Sequence, residues 1–291
     1  MKAFIFPGQG SQFPGMGSEL KDISKAKEMF NTANEILGFE ISDIMFHGTA
    51  EELKKTNVTQ PAIFIHSIIS SNIIQNFNPD MVAGHSLGEI SALTAAKVIT
   101  FKEGLELVKT RSEGMQIACE NNNSTMAAVL QLSEDKIEKI CNEIDGIVVP
   151  ANYNCPGQVV ISGELKAIEI ACDKMMKNGA RRAIILPVGG AFHSPIMESA
   201  KEKLANKIEQ ITFKNPICPI YQNVCAEPIT NTNILKRNLI EQLVSPVKWS
   251  QTIHNMINNG ATDFTEIGPG KVLQGLLKKI NPNVNISTFS I

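Results

Sequence analysis

The 291-residue sequence has almost no net charge, no cysteine pair at metal or redox spacing, and no long apolar run. Each absence removes a class of function. Lys and Arg total 27 against 29 Asp and Glu, a formal balance of -2, and no basic block or arm stands out. There is thus no electrostatic footprint for nucleic acid or an anionic membrane. The opening MKAFIFPGQG holds one lysine and a brief apolar run that Pro7 and Gly8 cut short, too little for the core of a secretory signal. No stretch approaches the roughly 18 apolar residues of a membrane span. The six cysteines (Cys119, Cys141, Cys155, Cys172, Cys218 and Cys225) form no CxxC pair and no ligand spacing. They read as reduced thiols of a cytoplasmic protein, with no disulfide and no metal site. Internal repeats, low-complexity tracts and long linkers are also missing.

What is present is a hydrophobic fraction of 43%, enough to fill a sizeable core in one large domain, or in a large domain carrying a smaller one. Short apolar runs alternate with longer helical patterns, which predicts an α/β protein with a mainly parallel sheet. KAFIF (2–6) and DMVAG (80–84) read as strands; 19–37, 60–77 and 87–98 read as helices. Residues 124–190 change rhythm: strand, helix, strand, strand, helix, strand, the order of a ferredoxin-like unit. That unit sits as an insertion would. Beyond it the alternation resumes, with PIYQNV (219–224) and DFTEIG (263–268) as strands and KVLQGLLKKI (271–280) as a helix. A cleft between a large and a small unit is the natural place for a ligand.

Gly84-His85-Ser86-Leu87-Gly88 fits G-x-S-x-G, a strained strand-to-helix turn that lifts a serine hydroxyl out of the packed layer. Three fixed positions recur by chance, and the motif gains meaning from its setting between a strand and a helix. There the amide of Leu87 can face an oxyanion.

A serine nucleophile needs a base, and histidine is the usual one. There are five. His66 falls on the apolar stripe of its helix, where most histidines are satisfied core residues; His47 and His254 lack distinctive neighbours; His85 adjoins the serine but points elsewhere at such a bend. His193, in VGGAFHSPIM, follows two glycines and precedes a helix start, and is the best placed. No acid between Ser86 and His193 stands out as its partner. Either an acid beyond His193 orients the imidazole, or a carbonyl does and the pair is a dyad.

Arg111 lies on the apolar stripe of a helix with Gly104, Val108, Met115 and Ala118. A guanidinium there snorkels outward, pairs with a protein carboxylate, or waits for an anionic ligand. The loop FPGQGSQ after the first strand can bring backbone amides and Gln9 close to a ligand. It lacks the lysine of a P-loop and the GxGxxG spacing, which excludes nucleotide binding by that route.

FPGQGSQ, TQPAIF, GHSLGE, TRSEGMQ, NYNCPGQVVISG, FHSPIM, SPVKW and EIGPGKVLQGL, in that order over nearly the whole chain, resemble the malonyl-CoA:acyl carrier protein transacylase family, which includes acyltransferase components of polyketide synthases. The resemblance implies a hydrolase-like large subdomain over 1–123 and 191–291, a ferredoxin-like small subdomain over 124–190, and an active site between them. Carried over position by position, it implies Ser86 as nucleophile and His193 as base. Arg111 would grip the malonyl carboxylate, and the backbone amides of Gln9 and Leu87 would form the oxyanion hole. Gln242, in EQLVSP, would orient the histidine, completing a Ser/His dyad.

Two positions depart from the family pattern. Phe192 stands where many stand-alone fatty-acid members carry serine. Ala191-Phe192-His193 is similar to malonyl-selective polyketide acyltransferases, in which the ring limits substituents on the acyl α-carbon. Cys155 replaces a serine common in the Pro-Gly-Gln loop.

The implied reaction is malonyl transfer from malonyl-CoA to the phosphopantetheine thiol of an acyl carrier protein, through a malonyl-serine, in fatty-acid or polyketide biosynthesis. It implies no cofactor besides the coenzyme A thioester itself, and a cytoplasmic monomer. An acyl-thioester hydrolase and a catalytically silent carrier-binding subunit are the rivals. Arg111 argues against the first, because a neutral acyl chain gives it nothing to bind; the intact Ser86 and His193 argue against the second. Lys271, Lys278 and Lys279 are candidates for meeting an acidic carrier.

Overall fold

The computed structural model describes residues 1–75 and 77–288. In chain order it begins with β1 (Lys2–Phe6), α1 (Ser24–Leu37), α2 (Ile41–His47), α3 (Thr56–Ile73), β2 (Met81–Gly84), α4 (Gly88–Ala95) and α5 (Phe101–Glu120). A second group follows: β3 (Ser124–Leu130), α6 (Glu134–Asn142), β4 (Val148–Cys155), β5 (Gln158–Glu164), α7 (Leu165–Lys177) and β6 (Arg182–Ile185). The chain closes with α8 (Glu198–Glu209), β7 (Ile220–Tyr221), β8 (Pro228–Ile229), α9 (Thr232–Glu241), α10 (Trp249–Asn258), β9 (Asp263–Glu266), α11 (Val272–Ile280) and β10 (Asn285–Thr288).

The larger sheet has the order β10-β9-β1-β2-β7-β8 and is parallel except where β7 meets β8. Its central strands are buried on both faces, as helices on either side of a parallel sheet require. Phe4 and Phe6 of β1 point into one core with Val82 and Leu87, while Ala3 and Ile5 point into another with Ala83 and Trp249. β1 and β2 pair in register from Ala3 with Met81 to Phe6 with Gly84, so their carboxyl ends finish side by side. The loop holding Gln9 and the turn holding Ser86 leave from those two ends. In open α/β sheets that edge is where ligands bind.

The second sheet is antiparallel, in the order β4-β5-β3-β6. One face packs on α6 and α7 through Ala127, Ile161, Ile168 and Met175. The other sends Met126, Ala151 and Val160 into the core of the larger sheet. Main-chain bonds also join the two parts: Tyr153 N–H donates to the Val247 carbonyl (2.9 Å) and Val247 N–H to the Ala151 carbonyl (2.8 Å).

Several expected elements shift, among them the helix expected over 87–98, which spans Gly88–Ala95, and the strand expected over 263–268, which ends at Glu266. The helix expected over 19–37 starts at Ser24, because Leu20 turns into the core and Glu19 reaches His66 instead of extending the helix. The helix expected over 60–77 runs from Thr56 to Ile73, and residue 76 of that expectation lies outside the described residues. Pro61 is therefore inside α3. It forfeits one backbone bond, which burial of Val58, Thr59 and Gln60 offsets. The strand expected over 219–224 is only Ile220–Tyr221, since Gln222 and Asn223 leave the sheet to bond the Glu89 carboxylate. Among the described residues no helix is long and apolar enough to cross a membrane.

Candidate active site

Ser86 sits in the turn between β2 and α4 with φ of 53°, a left-handed backbone that a residue with a Cβ adopts only when its surroundings hold it there. Two side chains do so. Asn223 Oδ1 accepts the Ser86 N–H at 2.8 Å, and Gln242 Nε2 donates to the Ser86 carbonyl at 3.0 Å. Gly88 completes the turn: a Cβ at this position would overlap the Phe6 carbonyl of the neighbouring strand end. The motif glycine is thus required by close approach of two backbones.

His193, in the loop after β6, is also left-handed, with φ of 58°. Its Nδ1 lies 2.9 Å from the carbonyl oxygen of Gln242, at the start of the 3₁₀ turn Gln242–Val244. A carbonyl can only accept, which assigns the proton to Nδ1 and leaves Nε2 as an acceptor. Ser86 Oγ donates to that Nε2 at 2.7 Å. Burial, and then the nearby Arg111 charge, depress the imidazole pKa to about 3, so it is neutral at physiological pH and able to accept a proton.

Arg111, on α5, is 1% exposed and does not snorkel. Nη1 donates to Gln60 Oε1 at 2.7 Å, and Nη2 donates to Ser86 Oγ at 3.0 Å and Gln242 Oε1 at 3.2 Å. Nε has no protein partner among the described residues. Every acceptor is neutral, and burial lowers the guanidinium pKa only to about 10, so the charge stays. A buried cation with only neutral partners can gain a great deal from an anionic ligand.

Gln9 and Leu87 flank the serine from the two strand ends. Neither backbone N–H donates to another group among the described residues. The loop of Gln9 lies close against the turn, since a Cβ on Gly8 would stand 2.5 Å from the His85 carbonyl. Both residues line a cavity of about 210 Å³, as do Ser86, His193, Phe192 and Gln60. Its other walls come from the antiparallel sheet, through Asn152, Asn154 and Gln158, and from α11, through Leu273 and Leu276. Lys279, at the end of α11, donates to Gln158 Oε1 at 3.3 Å.

The structure thus brings together Ser86, His193, Arg111, Gln242, Gln9, Leu87 and Phe192. Of the other four histidines, His47 lies at the end of α2 with its ring edge-on to Phe46, and the rest have hydrogen-bond partners. His66 Nε2 meets Glu19 at 2.8 Å; His254 bonds its own helix; His85 Nε2 meets Asn154 Oδ1 at 2.9 Å and its ring packs edge-on against Trp249.

Sequence reasoning missed Gln60, Asn223 and, most notably, Glu89. This acid lies in the same motif as the serine and is completely buried. Its one sequence signal was a carboxylate among the small and apolar residues of GEISALTA, every one of which the fold buries. It bonds Gln222 and Asn223, not His193, so the orienting partner of the histidine is a carbonyl.

Residues 3–286 match the acyl transferase domain family. The chain is 43% identical over 288 residues to the malonyl CoA-acyl carrier protein transacylase of Bacillus subtilis, covering 96% of this chain and 90% of that protein. It is 40% identical to the protein of that name from Staphylococcus aureus, covering 99% of this chain and 94% of that one. Among solved structures, an acyl carrier protein S-malonyltransferase from Vibrio cholerae superposes with a TM-score of 0.95 at 37% identity, covering 99% of this chain and 96% of that chain. A malonyl-transacylase in complex with its type II polyketide synthase acyl-carrier protein superposes with a TM-score of 0.94 at 37% identity, covering 100% of this chain and 95% of the other. Matched in sequence and in fold over nearly all its length, the chain belongs to the acyl transferase domain family, among its malonyl-CoA:acyl carrier protein transacylases.

Proposed function

We propose that the protein moves a malonyl group from malonyl-CoA to the phosphopantetheine thiol of an acyl carrier protein through an ester on Ser86, in fatty-acid or polyketide biosynthesis. Ser86 Oγ attacks the thioester carbonyl as His193 Nε2 takes its proton. The oxyanion faces the N–H groups of Gln9 and Leu87, each worth about 3 to 4 kcal/mol by analogy with measured oxyanion holes. His193 returns the proton to the departing coenzyme A sulfur. In the second half the carrier thiol gives its proton to His193 and attacks the ester, which releases Ser86. Gln242 orients the imidazole through its carbonyl and the guanidinium through its side chain. Phe192 bounds the acyl pocket.

One observation carries this reading above all: Arg111 points inward, with neutral partners only, and reaches the serine hydroxyl at 3.0 Å. A hydrolase acting on neutral acyl chains has no use for it. The reading needs no resident cofactor, because the thioester brings its own activated acyl group. It also takes the protein as a cytoplasmic monomer.

The finer architecture belongs to the same proposal. Residues 124–190 make a ferredoxin-like small subdomain, supported by the β-α-β-β-α-β order and the strand order β4-β5-β3-β6. Residues 1–123 and 191–291 make a hydrolase-like large subdomain, supported by the serine turn at the end of a central parallel strand.

The test is carrier-dependent turnover. With malonyl-CoA and a phosphopantetheinylated carrier protein, coenzyme A release is expected to continue until the carrier is charged. With malonyl-CoA alone it is expected to stop after one equivalent; steady release of free malonate without carrier would establish a hydrolase instead.

A further inference from the structure

Glu89, on α4, is a fully buried carboxylate three residues after the serine. Asn223 N–H donates to its Oε2 at 2.7 Å and Gln222 Nε2 to its Oε1 at 3.1 Å. It forms no ion pair among the described residues. A short chain of contacts links it to the reacting groups: the Asn223 side chain accepts the Ser86 N–H at 2.8 Å and lies 3.3 Å from Gln242 Nε2, and Gln242 Oε1 accepts from Arg111. Above about pH 7 the interior of the site therefore holds one cation and one anion that balance each other without an ion-pair contact.

A malonyl carboxylate that reaches Arg111 upsets that balance. It takes over the guanidinium and brings a second negative charge into the same low-dielectric region, where two anions share one cation. The charge most easily removed is the protein's own. We propose that Glu89 is a positioning residue that neutralises Arg111 at a distance while the site is empty and yields that role to the substrate by taking up a proton as malonyl binds. The proposal rests on Arg111 receiving the malonyl carboxylate. The proton comes from buffer, no covalent bond changes, and the neutral carboxyl leaves Arg111 paired only with substrate.

The groups around Glu89 support this assignment. Arg111 on α5 is the cation whose charge acts on it, Cys225 after β7 feels its charge, and His193 and His85 are buried imidazoles that stay neutral and are already hydrogen-bonded, His193 to Ser86 and Gln242 and His85 to Asn154. Burial already raises the Glu89 pKa to about 7, so a modest additional repulsion completes protonation. Glu266, the other buried carboxyl with a pKa near 7, bonds the first turn of α11 and no member of this network.

Binding of malonyl-CoA and of acetyl-CoA to the S86A variant, which cannot be acylated, tests this by titration calorimetry in two buffers of different ionisation enthalpy. At about pH 7.5, where Glu89 is mostly ionised in the empty site, uptake of a large fraction of one proton per malonyl-CoA is expected, falling toward none at about pH 6, where Glu89 is already protonated. Acetyl-CoA is expected to take up none, and adding E89Q to abolish uptake with malonyl-CoA. An infrared difference spectrum showing a new protonated-carboxyl band on malonyl-CoA binding supplies the same answer without the second substitution. Tighter binding of malonyl-CoA than of acetyl-CoA with buffer-independent heat would overturn the role of Glu89 and leave Arg111 as the anion receptor. Uptake that persists in E89Q would overturn it too. Equal binding of both thioesters, unaffected by R111A, would overturn the underlying reading.

Discussion

Arg111 Nη2 donates to Ser86 Oγ at 3.0 Å, across the gap between α5 and the end of β2. The candidate nucleophile and the candidate anion receptor are thus a single hydrogen bond apart. On the proposed reading, a malonyl ester on Ser86 carries its carboxylate one methylene from the acyl carbon, within reach of this guanidinium, whereas a neutral chain gives the cation nothing to bind. On that reading, substrate choice and catalysis rest on the same contact.

Removing the cation separates the two. R111A is expected to lower kcat/KM for malonyl-CoA by roughly a hundredfold or more, about 3 kcal/mol, because one member of a buried charge pair is lost. Acetyl-CoA is expected to change by less than tenfold. Steady-state kinetics with both thioesters checks this, and unchanged malonyl kinetics would remove Arg111 from the site.

The depressed histidine has a consequence for stability. The folded His193 has a pKa of about 3, whereas the unfolded imidazole titrates near its ordinary value of about 6.5. Between those values the unfolded chain binds the proton and the folded one does not, so stability is lost as pH falls through that window. Relative to H193Q, which lacks this proton, the wild type is expected to lose about 2 kcal/mol between about pH 7 and about pH 5. Urea denaturation at the two pH values measures the difference.

The close approach of the Gln9 loop to the serine turn gives a third expectation. A Cβ on Gly8 would stand 2.5 Å from the His85 carbonyl, so G8A must push the loop away. Loss of one oxyanion donor costs about 10²- to 10³-fold in kcat. G8A is expected to show a loss of that order with substrate binding largely retained, which a comparison of kcat and KM resolves.

Phe192 is 6% exposed and lines the cavity beside His193. F192A is expected to raise the rate with methylmalonyl-CoA relative to malonyl-CoA by at least about tenfold, the order of one added methyl in an apolar pocket. Competition between the two thioesters, read by mass analysis of the charged carrier, checks it.

Much of this arrangement was legible in the sequence because its parts are local. The serine turn lies wholly within GHSLGE, and the apolar stripe marks Arg111 as misplaced, although only the fold shows that it is buried and does not snorkel. The order of strands and helices over 124–190 was legible for the same reason, and the structure shows that order. What could not be read depends on contacts between distant segments. Gln60 and Arg111 meet across two packed helices, and Asn223 reaches back to Ser86 from the end of β7. That same contact network shortens β7 to two residues, a strand the apolar pattern extends further. Glu89 was hidden differently: an acid inside a motif reads as part of the motif, and only the fold shows it enclosed on all sides.

The most direct measurement is mass analysis of the protein quenched shortly after mixing with malonyl-CoA, followed by peptide mapping. The expected result is one malonyl ester, on Ser86, that persists without carrier, disappears when a phosphopantetheinylated carrier protein is added, and never forms in S86A. A malonyl group on any other residue, or none at all while the carrier still becomes charged, would contradict transfer through the serine.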